Sequence, residues 1–188
     1  GGGAALSLTV LSDPGSWIND WVPGLLAAWL KQGHRVRWVH DSAELVAGDL
    51  AFFLGCGQLV RPEQLKRNEH NLVAHASNLP RGRGMSPLTW QVLEGAQRIP
   101  VTLLEAVEAV DEGDIYLQEW INLAGHELLD ELREQVGLKI RSLCRAFVDE
   151  YPAVLEKARP QIGEPSYYPW RRPADSELDP DRSLAEQF

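Results

Sequence analysis

The stretch GDLAFFLGCGQLVRPEQLKRNEHNLVAHAS, residues 48–77, carries two apolar runs on either side of a polar segment. In the first run, residues 48–57, apolar positions do not alternate with polar ones, which predicts a strand buried on both faces. Residues 61–68, RPEQLKRN, predict a short helix with Pro62 in its first turn, where a missing N–H does no harm. Residues 71–77, NLVAHAS, predict the next strand. Strand, helix and strand in that order form a crossover between parallel strands, and such crossovers are right-handed almost without exception.

The same alternation extends outward. LSLTVLS (6–12) predicts a first strand, and SDPGSWIND turns into a helix with Trp17, Ile18, Trp21, Val22, Leu25, Leu26 and Trp29 at i, i+3, i+4 spacing. GHRVRWVH (33–40) predicts a strand after a glycine stop. Downstream, SPLTWQVLEG (86–95) predicts a helix with Ser86 as N-cap, Pro87 at its first position and Gly95 as stop. Residues 99–123 predict two strands joined by the turn VDEGD, and 125–158 a long amphipathic helix with Leu128, Leu129, Leu132, Val136, Ile140 and Cys144 on its core stripe. The expected class is α/β, a doubly wound, mostly parallel sheet. One folded domain is expected over 4–159. The segment 160–188 holds five of the twelve prolines, so it is expected as an extended, Pro-rich C-terminal excursion. Gly1 to Gly3 read as an appended remnant or a frayed terminus.

Bulk properties exclude several functions. A net charge of −9 and a pI near 5.0 argue against neutralising a phosphate backbone, so no nucleic-acid partner is expected. Cys56 and Cys144 lie far apart with no CxxC or Cys/His spacing, so neither a disulfide framework nor a metal site is expected. No run approaches the length of a membrane span, and no charged leader precedes the first strand, so no membrane association and a cytoplasmic setting are expected.

An open α/β sheet binds ligands beyond the carboxyl ends of its strands, and His75 stands at such an end. A Pro/Gly turn with exposed backbone N–H groups follows it. A lone histidine there is more often structural, but Asp111 lies in the β-turn that returns to the same sheet edge. Histidine, carboxylate and backbone donors together suit general acid/base catalysis with oxyanion stabilisation in acyl transfer. Ser77 lacks the GxSxG elbow and Cys56 shows no positioned base, so direct attack by a substrate amine is the more economical route. The GRG of 82–84 fails the GxGxxG fingerprint because position 87 is Pro87.

The run HASNLPRGRGMSPLTWQVLEG followed by IPVTLLEAVEAVDEGDI resembles the catalytic signature of the 10-formyltetrahydrofolate-dependent formyltransferases. In that family a histidine before a Ser/Leu-Pro turn pairs with an aspartate in a D-x-G turn 36 positions on, and here 111 minus 75 is 36. The likeness covers about residues 48–125 well and the rest more weakly. It implies a Rossmann-like fold, 10-formyltetrahydrofolate as cosubstrate at the sheet edge, and formyl transfer to an amine. His75 would stabilise the developing oxyanion, and Asp111 would orient it and help remove the amine's proton. Leu54, Gly55, Cys56, Gly57, Gln58 and Leu59, with Val107, Val110, Gly113 and Asp114, would wall the pterin. The chain departs from the family at Val73, where an asparagine two residues before the histidine is usual. Asn71, on the same strand face, and Asn78, on the turn, are the replacement candidates, with Asn78 favoured.

The tail YYPWRRPADSELD resembles a segment of the formyltransferases that act on nucleotide-carried amino sugars. That resemblance implies a nucleotide sugar as acceptor, with Ser77, Arg81, Arg83, Arg171 and Arg172 on the acceptor side. Two alternatives stand beside it: transfer to another small amine of the hydroxyornithine or glycinamide ribonucleotide type, and an inactive folate-binding scaffold. Oligomeric state stays open, a homodimer included.

Overall fold

The computed structural model describes residues 3–169. Strand β1 (Ser7–Leu11) leads into a 3-10 turn (Trp17–Asp20) and helix α1 (Val22–Lys31), followed by β2 (Arg35–Val39), β3 (Gly48–Phe53), α2 (Pro62–Leu65) and β4 (Asn68–His75). Next come the two-residue strand β5 (Arg83–Gly84), α3 (Pro87–Leu93), β6 (Arg98–Glu105), β7 (Ile115–Asn122), α4 (Leu129–Glu150), a 3-10 turn (Ala153–Lys157) and β8 (Tyr167–Tyr168).

Six strands form one sheet in the order β2-β1-β3-β4-β6-β7. The four strands of the first half run parallel, and β6 and β7 are added antiparallel. The expected class holds, a mostly parallel α/β sheet. The path from β1 through α1 to β2 moves toward one edge, whereas β3 through α2 to β4 moves toward the other. Crossovers of one hand that move in opposite directions put their helices on opposite faces. Leu25 and Trp29 of α1 accordingly pack with α4 in the larger core, while Leu65 of α2 packs with Leu11, Ala51 and Phe53 in a smaller one.

The larger core is aromatic at its centre. Phe52 of β3 lies with its ring centroid 5.1 Å from Trp29 and 6.2 Å from Phe147 of α4, and Tyr116 of β7 lies 5.1 Å from Phe147. The predicted stripe of α4 is buried at Leu132, Val136, Ile140 and Cys144.

Several local expectations change, and α4 spans Leu129–Glu150 rather than 125–158. The helix expected from Trp17 splits, because Pro23 has no N–H to continue the ladder and sits instead in the first turn of α1. Strand β3 ends at Phe53 rather than 57, since Gly55 turns the chain with φ +55°. Ser86 occupies the N-cap position of α3 but makes no capping bond. Its backbone is left-handed (φ 53°, ψ 49°), whereas capping needs the extended region.

Candidate active site

The strand order reverses at β1, whose neighbours are β2 and β3, so a crevice opens beyond the carboxyl ends of β1, β3 and β4. Asp13 follows β1, residues 55–58 follow β3, and His75 ends β4. Asp13 organises the loop after β3. Its carboxylate accepts from the Gly57 N–H at 2.8 Å and from Gln58 Nε2 at 2.8 Å, and the same amide nitrogen donates to the His40 carbonyl at 2.7 Å. Burial pushes the Cys56 thiol up to about 11, with Asp13 adding to the effect against a bond to the Gln58 backbone. A protonated thiol is a poor nucleophile.

His75 and Asp111 meet. Nδ1 of His75 lies 3.6 Å from Asp111 Oδ2, and both side chains are only 7% exposed. The other ring nitrogen, Nε2, lies 2.6 Å from the Gly82 carbonyl. A carbonyl can only accept, so Nε2 carries a proton there and Nδ1 faces the carboxylate. The Gly84 N–H donates to Asp111 Oδ2 at 2.9 Å, so the turn after His75 also holds its partner. Asp111 itself has a left-handed backbone (φ 57°), a conformation that costs a non-glycine residue about 1–3 kcal/mol and clusters at functional sites. Gly113 lets that turn press on β6: a Cβ there would collide with the Glu105 carbonyl.

Two cavities open beside this pair: Asp111 lines both, and His75 lines the second. The first, about 410 Å³, is mostly apolar, with Phe53 and Val73 facing residues 56–60 and 104–108. The second, about 570 Å³, runs from His75 past Asp13, Trp17, Ser86 and Arg133. Asp111, Val110, Cys56, Gly57 and Val73 line both, so the two cavities meet at Asp111, with His75 on the side of the second. Val73, the departure from the family pattern, puts an isopropyl group at that junction.

Of the residues expected around the pterin, Cys56, Gly57, Gln58, Leu59, Val107 and Val110 line the first cavity, and Gly55 the second. Leu54 is buried in the larger core, and Gly113 and Asp114 stand behind the wall, with the Asp114 carbonyl accepting from Glu105 N at 2.9 Å. Neither candidate asparagine lines either cavity. Asn71 is buried beneath α2, its amide donating to the Leu65 carbonyl at 2.8 Å, and Asn78 is exposed, its carbonyl 3.5 Å from Gln118 Nε2. Ser77 is buried under Gly82, and Arg81 is exposed. Arg83 is 11% exposed and committed internally, donating to Gln161, Glu112 and Tyr167. A bound diphosphate would have to displace these partners. Arg171 and Arg172 lie outside the described residues. Among the described residues, no group of three or more His, Cys, Asp or Glu side chains is placed to hold a metal, and no helix is long and apolar enough to cross a membrane.

Sequence reasoning missed Asp13 and Arg133, and it expected the segment after Arg159 to be an extended excursion rather than packed. Arg159 bridges to Ile115, and the segment pairs β8 with β5 and stacks Tyr168 on Trp90 at 6.0 Å. Tyr167, Tyr168 and Pro169 thereby complete the first cavity's wall. Its aromatic, proline-flanked composition, SYYPW, is the one signal that could have marked a packed segment.

Residues 27–140 match the family described as formyl transferase. A curated relative, the methionyl-tRNA formyltransferase of Coprothermobacter proteolyticus, is 30% identical over 150 residues, which is 73% of this chain and 49% of that protein. The counterpart in Thermodesulfovibrio yellowstonii is 26% identical over 141 residues, 74% of this chain and 46% of that one. The chain thus spans about half the length of the curated relatives it matches. In fold it is similar to the methionyl-tRNA formyltransferase from Clostridium thermocellum, with a TM-score of 0.72 at 19% identity over 97% of this chain and 80% of that one. The formyltransferase PseJ from Anoxybacillus kamchatkensis, solved with UDP-4,6-dideoxy-4-formamido-L-AltNAc and tetrahydrofolate, has a TM-score of 0.64 at 24% identity, covering 86% and 85%.

Proposed function

The chain belongs to the formyl transferase family, and we propose that it moves a formyl group from 10-formyltetrahydrofolate to an amine, the amino group of a nucleotide-linked amino sugar in glycan biosynthesis. One observation carries the chemistry: the buried His75–Asp111 pair sits where an apolar slot and a more polar cavity meet. A two-substrate transfer needs such a junction. The flat pterin suits the slot, and the acceptor amine suits the second cavity.

In the reaction the amine nitrogen attacks the formyl carbon, a new C–N bond forms, and the bond from that carbon to the folate nitrogen breaks. The amine loses one proton and the departing folate nitrogen takes one. The Asp111 carboxylate and His75 Nδ1, 3.6 Å apart, are the pair that accepts and returns it. Because both side chains are nearly excluded from water, hydrogen bonds to the developing oxyanion act there with little screening. Cys56, held as a thiol, takes no part as nucleophile.

The acidic charge of −9 favours a small acceptor over a nucleic acid. The PseJ complex contains a formamido sugar carried by a nucleotide, which supports the amino-sugar assignment. We take residues 4–159 as the catalytic domain and the segment from 160 onward as its C-terminal extension, with Tyr167, Tyr168 and Pro169 on the folate slot and Arg171 and Arg172 as the acceptor contacts. Val73 favours a second reading, a folate-binding scaffold without turnover. A panel of amino-sugar nucleotides, other small amines and methionyl-tRNA, each incubated with 10-formyltetrahydrofolate, separates these by the mass of one added formyl group. Gain on an amino-sugar nucleotide is expected. Gain on tRNA or another amine alone overturns the acceptor, and tetrahydrofolate binding without gain on any acceptor establishes the scaffold.

A further inference from the structure

We propose that Gln161 is a positioning residue that ties the Asp111 turn to the loop behind His75, and so sets the geometry of the catalytic pair. The role rests on the formyl-transfer reading above. Its side-chain nitrogen donates to the Asp111 carbonyl at 2.6 Å and to the Gly113 carbonyl at 2.9 Å. Its side-chain oxygen accepts from Arg83 Nη2 at 2.8 Å and Nε at 3.1 Å. One amide therefore uses both donors on the turn and its acceptor on β5. Arg83 closes the other side, with Nη1 at 3.1 Å from Glu112, the residue after Asp111.

Three features distinguish this contact from a surface hydrogen bond. Between Arg159 and Tyr168, Gln161 is alone in being other than exposed, so the segment turns one side chain inward here. The turn it holds contains the left-handed Asp111, which has a reason to relax when released. The residue after Arg83, Gly84, donates to the Asp111 carboxylate, so the anchored backbone and the catalytic side chain belong to one closed ring of contacts. Loss of the amide leaves two carbonyls and a guanidinium without these partners. A displacement of about 1 Å in a reacting group can cost about a hundredfold in rate.

Gln161→Leu removes both functions of the amide. Gln161→Glu keeps the size and the acceptor for Arg83 but sets an oxygen against the two carbonyls. Both are expected to lower kcat at least about tenfold while leaving the KM for 10-formyltetrahydrofolate within about twofold, because the slot's lining side chains are untouched. Exchange of the Gly84 amide proton, followed by NMR in the free protein, is expected to accelerate at least about tenfold in both. An unchanged kcat in Gln161→Leu, unchanged Gly84 exchange, or wild-type behaviour of Gln161→Glu would each overturn the proposal. Should the wild-type chain transfer no formyl group to any acceptor, the reading of function fails, and Gly84 exchange still decides the contact.

Discussion

The layer between the sheet and α4 and the rim at the strand ends are held by different physics. Under α4, Trp29, Phe52, Phe147 and Tyr116 pack around one another, and each contact is one of many weak ones. At the rim, Asp13, His75, Asp111 and Gln161 are each held by a few directed polar contacts. The difference teaches that stability and rate are separable here: damage to the layer should unfold the chain without altering its chemistry, and damage to the rim should do the reverse.

The largest effect is expected in the layer. Phe147→Ala should cost about 3–5 kcal/mol in denaturant unfolding, the usual range for emptying a buried aromatic site, with the transfer rate per folded molecule kept within twofold. A rate that falls in step with stability would break the comparison. Next, Asn71→Ala should remove the bond to the Leu65 carbonyl, leave a buried acceptor unpaired and cost about 1–3 kcal/mol, again with little change in rate. Gly113→Ala sharpens the opposite side. Its methyl group would drive the Asp111 turn away from the Glu105 carbonyl, and steady-state kinetics should record a loss in kcat of about tenfold.

Smaller effects separate the two asparagines and the tail. Asn78→Ala should change neither unfolding midpoint nor rate by much, because its one contact is long and exposed. A tenfold slower transfer in that variant would instead make Asn78 the amide that replaces the one absent at Val73. Replacing Arg171 and Arg172 with alanine should raise the KM for the nucleotide sugar severalfold and leave that for folate alone, measured at fixed ionic strength because salt screens charge contacts. Unchanged acceptor kinetics would return the tail to a linker.

What was legible in the sequence follows the same division. The unalternating run at 48–53, the i, i+4 stripe of α4 and the turn at 110–114 are local patterns, and periodicity reports which face is buried. His75 and Asp111 stand out through their turn context and the likeness to the family signature. The contacts that hold them were not, because a single polar bond has no period: Gly57 reaches Asp13 across 44 positions, Gln161 reaches Asp111 across 50, and Ser166 reaches Gly82 across 84. Arg83 shows the limit from the other direction. As a sequence it is a free cation beside the site, whereas in the fold its guanidinium is filled by Gln161, Glu112 and Tyr167.

The most direct test measures rate and stability on the same samples of His75→Ala and Asp111→Asn, using 10-formyltetrahydrofolate and the best acceptor of the panel. Transfer should fall at least about a hundredfold in each, the usual scale for losing acid/base or oxyanion help, while the thermal midpoint moves by no more than a few degrees. Near-normal transfer in either folded variant would contradict the account at its centre, because the reaction would then run without the buried pair at the junction of the two cavities.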